Sequence, residues 1–319
     1  MLIPMIKQYK VLEFQSSWEI FTPAMLLIRN ILNSLFPPSY RKATNGIGNI
    51  NGITATGLQV TSFGFYIYVV GGEFGLGRSK WNSQVWKYDI LSKKWDQFID
   101  LENPRRHHSL AHDSQESLFM IGGVGKHRVI LDLVERLHGD FVETMSNLPN
   151  PMYNITAFFY DTKLYVLQDR SNCFVYENSK WTAAFKYMKF PEGLAFNSAL
   201  PYKDDLYFTS KNNSTLFRCP LKNPDPMTCD TEIKETIEAE ELGKFKNETQ
   251  NLCLLETEGK IYNFSSDEFD HNSTIEVYDI AKKVFKLLYI SKDPEIDFSP
   301  YFSFGCFPLV KYPYYNLPT

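Results

Sequence analysis

Three closely spaced histidines, His107, His108 and His112, are the densest group of side chains in this chain that could do chemistry. An imidazole can ligate a transition metal or move a proton near neutral pH. On a strand, His108 and His112 face the same way. A metal centre needs three or four ligands, and Asp113 is the only further candidate beside them. The trio therefore reads as packing at the start of a strand, and no metal and no cofactor is expected. No G-x-S-x-G, P-loop or H-E-x-x-H pattern occurs, and no Tyr, His and Cys set is nominated for copper, so no catalytic residue is expected and the chain reads as a non-enzyme. Cys173, Cys219, Cys229, Cys253 and Cys306 are odd in number and scattered, which fits a reducing, cytoplasmic location. Against that reading, Asn154, Asn212, Asn213, Asn247, Asn263 and Asn272 each begin an N-x-S/T triplet, a glycan acceptor only on the secretory route.

The elements that would position such groups follow from composition and pattern. The 319 residues are 44% hydrophobic, enough for a substantial core, and 25 Phe and 19 Tyr favour pleated, half-buried strands. A formal net charge of −4 leaves no general drive toward phosphate backbones, so nucleic acid is not an expected partner. The run from Phe21 to Phe36 is the most membrane-like stretch, but Pro23, Arg29 and Asn30 interrupt it. It is shorter than the roughly 20 apolar residues of a spanning helix and suits a buried amphipathic helix, so no membrane partner is expected. Met1 to Lys10 has no continuous apolar core of a secretory signal.

From about Gly57 onward a pattern repeats. The first copy has the apolar run Phe65 to Val70 ending in Gly71-Gly72, then Val85-Trp-Lys-Tyr-Asp89, then Trp95. The second has Leu118 to Ile121 with Gly122-Gly123, then Val129 to Leu137, with Phe141 standing where Trp95 stood. The third has Lys163 to Leu167, Phe174 to Glu177 and Trp181, its glycines replaced by Gln168 and Asp169. The fourth has Asp205 to Phe208 and Thr215 to Phe217, and the fifth Lys260 to Phe264, Ile275 to Asp279 and Phe285. Strand-rich copies spaced by 40 to 50 residues or so mark propellers, because a four-stranded sheet buries both faces only between neighbouring copies. The expectation is an all-β propeller over residues 51–319, of six blades with five recognisable repeats. In it Phe302 to Leu309 closes the last blade, and residues 1–50 are either part helical or complete that blade through Tyr9 to Phe14 and Trp18.

Tyr68-Val-Val-Gly-Gly72, Trp86-Lys-Tyr-Asp89, Trp95 and the linker Pro104-Arg-Arg-His-His108 resemble the kelch repeat family, closest to the kelch-like proteins in which BTB and BACK regions precede the propeller. The resemblance covers about Gly57 to Val310 and implies a protein-binding propeller, the substrate-recognition module of a cullin-RING ubiquitin ligase. No BTB or BACK counterpart is recognised in the sequence, which leaves an actin-binding or other scaffold kelch protein as one alternative. A kelch-fold oxidase or sugar isomerase is the other.

Alternating strand directions place the second-to-third strand loops and the links between blades on one rim. The long loops assigned there are Glu73 to Gln84, Val124 to Arg128, Lys211 to Ser214, Thr231 to Lys246 and Asp267 to Ser273. Recognition concentrates in loops held by a rigid scaffold. The expected partner-binding residues on this rim are Arg78, Lys80, Trp81, Arg105, Arg106, Lys126 and His127. As a cationic group on an acidic protein they point to an acidic or phosphorylated segment of a protein partner.

Overall fold

The computed structural model describes residues 55–291 apart from 64–65, 75–79, 90, 93, 114–116, 187, 212–213, 222–236, 247–250 and 267–272. Arg78, residues 1–50 and Phe302 to Leu309 lie outside the described residues, and with them the expected sixth blade. The chain divides into Met1–Ile53 and Thr54–Thr319, and every described residue belongs to the second unit.

The first blade pairs β2 (Gln59–Phe63), β3 (Tyr66–Val70), β6 (Gln84–Asp89) and β7 (Lys94–Asp100). A small side sheet of β1 (Ala55–Thr56), β4 (Glu73–Phe74) and β5 (Lys80–Trp81) accompanies it. The second blade is β8 (Ser109–His112), β9 (Leu118–Ile121), β10 (Val134–His138) and β11 (Phe141–Thr144). The third is β12 (Thr156–Tyr160), β13 (Lys163–Leu167), β14 (Cys173–Glu177) and β15 (Lys180–Ala183). The fourth is β17 (Phe196–Tyr202), β18 (Asp205–Ser210), β19 (Thr215–Pro220) and β21 (Glu240–Lys244), and between it and the third blade β16 (Met188–Lys189) pairs in parallel with β20 (Ile237–Glu238). The fifth is β22 (Asn251–Thr257), β23 (Lys260–Ser266), β24 (Ser273–Asp279) and β25 (Val284–Ser291).

Each blade is an antiparallel sheet, and β2, β8, β12, β17 and β22 stand side by side in that order. First strands are thus innermost, and the arrangement is a β-propeller with five blades among the described residues. The second strands explain why blades need neighbours. Ile67–Val70, Leu118–Ile121 and Leu164–Leu167 are buried on both faces, as unbroken apolar runs require. Tyr68, Val85, Met120 and Leu137 fill the seam between blades one and two. Between blades three and four the filling is aromatic, with Phe190 edge-on to Phe196 and Phe208 at 5.4 and 5.7 Å.

The double glycines serve the links between blades. Gly71 and Gly122 have φ of 66° and 58°, and a Cβ there would lie 2.4 Å from the Arg105 carbonyl oxygen and 2.5 Å from that of Met152. The following glycines donate their N–H groups to the same carbonyls, Gly72 to Arg105 at 2.8 Å and Gly123 to Met152 at 2.7 Å. In the third blade the link is an antiparallel bridge between Asp169 and Ala195, in which the Arg170 N–H donates to the Leu194 carbonyl at 3.3 Å. The Phe196 N–H donates to the Gln168 carbonyl at 2.8 Å, and neither Gln168 nor Asp169 is left-handed, so glycine is not needed.

Two sequence expectations are corrected. Val142, not Phe141, pairs with Leu137, while Trp95 pairs with Tyr88, Trp181 with Tyr176 and Phe285 with Tyr278. The turn of the second blade is shorter than that of the first, so Phe141 sits one place early and is 76% exposed. Of the segment from Thr231 to Lys246, residues 231–236 lie outside the described residues, β20 lies in the connection of β19 to β21, a third-to-fourth strand turn of the opposite rim, and only Phe245 and Lys246 beyond β21 return to the first rim.

Candidate functional site

The link from blade one to blade two, Leu101 to His108, is where the expected binding residues and the fold meet. Arg105 is not on the surface. It is 0% exposed, paired with the Glu135 carboxylate, and donates from Nη1 to the carbonyls of Gly122 and Leu133 and from Nε to that of Asn103. Asn103 Nδ2 also donates to Glu135 at 3.1 Å. Burial pulls the Arg105 pKa down, opposed by Glu135. Every contact points inward because alternation along the link sends Arg105 toward the sheet, so it serves as a structural latch and drops out of the partner-facing set. Sequence reasoning missed Glu135 itself. The signal was an acid in an apolar third strand at matching places of two copies: Glu135 follows Val134 and Glu276 follows Ile275. Glu276 is buried too and accepts the N–H of Lys246, in the link from blade four to blade five, at 2.8 Å.

Arg106 is mostly buried. Its Nη1 pairs with Glu73 at 2.9 Å, and its buried Nε has no hydrogen-bond partner among the described residues. Lys80 is exposed and Trp81 half-buried in the loop beside it. Lys126 and His127 are exposed at the tip of a compact hairpin in blade two, which adds exposed Arg128, Val129 and Ile130. His127 and Arg128 both have positive φ, 59° and 60°, a strained tip held by Gly125 N–H to the Val129 carbonyl at 2.8 Å. Strand connectivity puts all of these described residues on one rim.

A hydrogen-bonded collar joins the lead-ins of the inner strands. His107 N–H donates to the Gly57 carbonyl at 2.8 Å, Asn154 N–H to the His107 carbonyl at 2.9 Å, and Lys211 Nζ to the Asn154 carbonyl at 2.8 Å. Gly57, His107 and Asn154 each stand two residues before an inner strand, with φ of 71°, 54° and 50°. Gly, Asn and His are types that tolerate this conformation.

Residues 56–98 match the family model described as the Kelch motif. The fold is a kelch-type β-propeller. Among curated proteins no sequence matches the chain. The matched residues are the first blade, whose Gly71-Gly72, Tyr88 and Trp95 have the register just described, and the later blades repeat the kelch geometry with weaker sequence marks. Among the described residues no group of His, Cys, Asp and Glu could hold a metal ion, and no helix is long and apolar enough to cross a membrane.

His108 lies under this rim, in the seam between the two double-glycine blades: Gly71 faces its Cε1 and Gly123 its Cβ. It is buried, neither ring nitrogen has a hydrogen-bond partner, and burial, Arg105 and His107 hold its pKa well below the ordinary histidine value. Folded His108 therefore stays neutral where the unfolded chain takes up a proton. Its contribution to stability is full above about pH 6.5 and is lost as pH falls below it, at up to about 1.4 kcal/mol per pH unit. Melting curves from pH 7.5 to 5.5 should show a steeper fall for the wild type than for His108→Leu. Parallel curves would show that His108 does not titrate between the two states.

Proposed function

We propose that this propeller is a protein-binding module that captures an acidic or phosphorylated segment of its partner on the rim carrying Lys80, Trp81, Arg106, Lys126 and His127, joined by Arg128. Kelch propellers commonly serve protein interaction, and the observation that carries the reading is the blade-two hairpin. It spends left-handed backbone at two adjacent residues to hold three basic side chains and two aliphatic ones in solvent, on a protein whose formal net charge is −4. Carboxylate and phosphate are the groups that Arg and Lys recognise best. The role that fits is substrate recognition in a ubiquitin-ligase assembly of the cullin-RING kind, at a cytoplasmic site; actin or another scaffold partner is the competing role.

The test is capture of a partner identified by mass spectrometry, re-measured with purified protein. Lys126→Glu with Arg128→Glu should weaken it by a factor of about ten or more, as for loss of charge-assisted anchors, with the melting temperature unchanged. The same charge reversal at Lys94 and Lys180, on blade edges, should leave it intact. Equal loss from both pairs would reduce the effect to net charge and remove the rim from the reading. Cosedimentation with filamentous actin or ubiquitination of the captured partner separates the two roles.

A further inference from the structure

We propose that the collar at the axial end of this rim is an anion site, in which Lys211, held against the lead-in that joins it to His107, takes one carboxylate or phosphate group of the bound segment. The inference rests on the binding role proposed for the rim and names the group that anchors it.

Four observations carry it. Lys211 comes from the blade-four loop, yet its side chain reaches the lead-in of blade three, where its Nζ meets a neutral carbonyl and, among the described residues, no carboxylate at ion-pair distance. Burial lowers its pKa, and Asp169 offsets this only in part. A half-desolvated ammonium facing one neutral acceptor gains more from an incoming anion than a solvated one does.

Among the described residues the neighbouring acids are committed. Asp169 accepts from the N–H groups of Ser171 and Asn172 at 2.8 and 3.0 Å and from Asn172 Nδ2, and Glu73 is held by Arg106. His107 is joined to Lys211 through the single residue Asn154: the Asn154 N–H donates to the His107 carbonyl, and Lys211 Nζ donates to the Asn154 carbonyl. Last, exposed Asn154 and Lys211 and half-buried His107 leave the collar open to solvent at the centre of the rim, where binding energy concentrates in standard interfaces.

The probes are inorganic phosphate and glutarate, titrated into the isotope-labelled full chain at constant ionic strength, reading backbone amide shifts. Saturable shifts centred on His107, Asn154 and Lys211 are expected. Lys211→Gln, which can still donate to the Asn154 carbonyl, should weaken binding by a factor of about ten, in line with loss of a charge-assisted contact. Lys94→Gln with Lys180→Gln, on blade edges, should leave it unchanged. Two five-residue glycine peptides, one with central phosphoserine and one with central glutamate, then show which source of the anion displaces the probe better.

Shifts confined to the Lys126–Arg128 hairpin, or equal affinity in Lys211→Gln, would overturn the proposal. Partner capture lost with the hairpin variant but intact in Lys211→Gln would overturn it while leaving the platform reading in place. Probe binding at the collar with capture indifferent to the hairpin variant but lost in Lys211→Gln would support it and move the binding surface inward.

Discussion

Glu135→Ala should cost about 3–5 kcal/mol, the range for removing one partner of a buried ion pair. The variant strands a guanidinium that is 0% exposed, in a seam whose other walls are Gly122, Leu133 and the neutral His108. It also takes an acceptor from Asn103, so the link between the first two blades loses both of its side-chain ties to Glu135. Urea unfolding followed by tryptophan fluorescence is the measurement. The double variant Arg105→Met with Glu135→Leu removes both charges and should recover most of the loss, because an apolar pair avoids the desolvation of two ions. Recovery would identify the stranded charge as the cause. A double variant as unstable as Glu135→Ala would instead assign the cost to the lost ties of the link. The same logic changes what an arginine-to-alanine scan of Arg105 and Arg106 can report: loss of partner capture there would reflect a damaged seam, and the hairpin and Lys211 are the informative positions.

Gly71→Val should be the other severe change, about 3 kcal/mol or more, from a bulky side chain in left-handed backbone together with steric overlap. The Cβ would meet the Arg105 carbonyl at 2.4 Å and His108 Cε1 at 2.8 Å, and the first of these is backbone that cannot swing aside. Gly139→Val provides the contrast. Gly139 shares a positive φ of 56° but meets nothing within 4 Å, so it carries the conformational part of the cost alone. Melting temperatures of the two variants therefore separate strain from collision. Equal losses would mean that the link between blades yields at Arg105.

The propeller was legible because its marks are local. A buried second strand must be an apolar run, and a glycine pair at its end is needed wherever a carbonyl of the next link sits against it, as at Gly71 and Gly122. The third blade lost its glycines without losing its place, because the link there is an antiparallel bridge of Asp169 with Ala195 that asks for no left-handed residue. What the sequence hid depends on register and on contacts across blades. Phe141 looked like the counterpart of Trp95 in the second copy until the shorter turn moved it by one position and onto the opposite side of the strand. Arg105 and Arg106 are adjacent and chemically alike, yet one meets Glu135 and the other Glu73, residues distant from them in opposite directions along the chain. The histidines read as packing at the start of a strand, and what each does locally was out of reach of the sequence: His107 supplies backbone conformation to the collar, and His108 supplies a neutral ring to a seam. Lys211 was placed on the rim only as the start of a loop, since only the closeness of blades three and four brings it to Asn154.

The parallel pairing of β16 with β20 bears on how the molecule comes apart. A propeller can be imagined as a string of separable beads, each cut free by severing one link. Here the chain leaving blade three first binds the outer margin of blade four, with Lys189 and Glu238 2.5 Å apart, before Phe190 and Leu194 turn inward to line the seam. Residues 184–195 are thus shared property of two blades. Severing the chain there would remove wall from both, so blades three and four form one indivisible block, and any attempt to shorten, split or permute this protein has to place its breaks elsewhere.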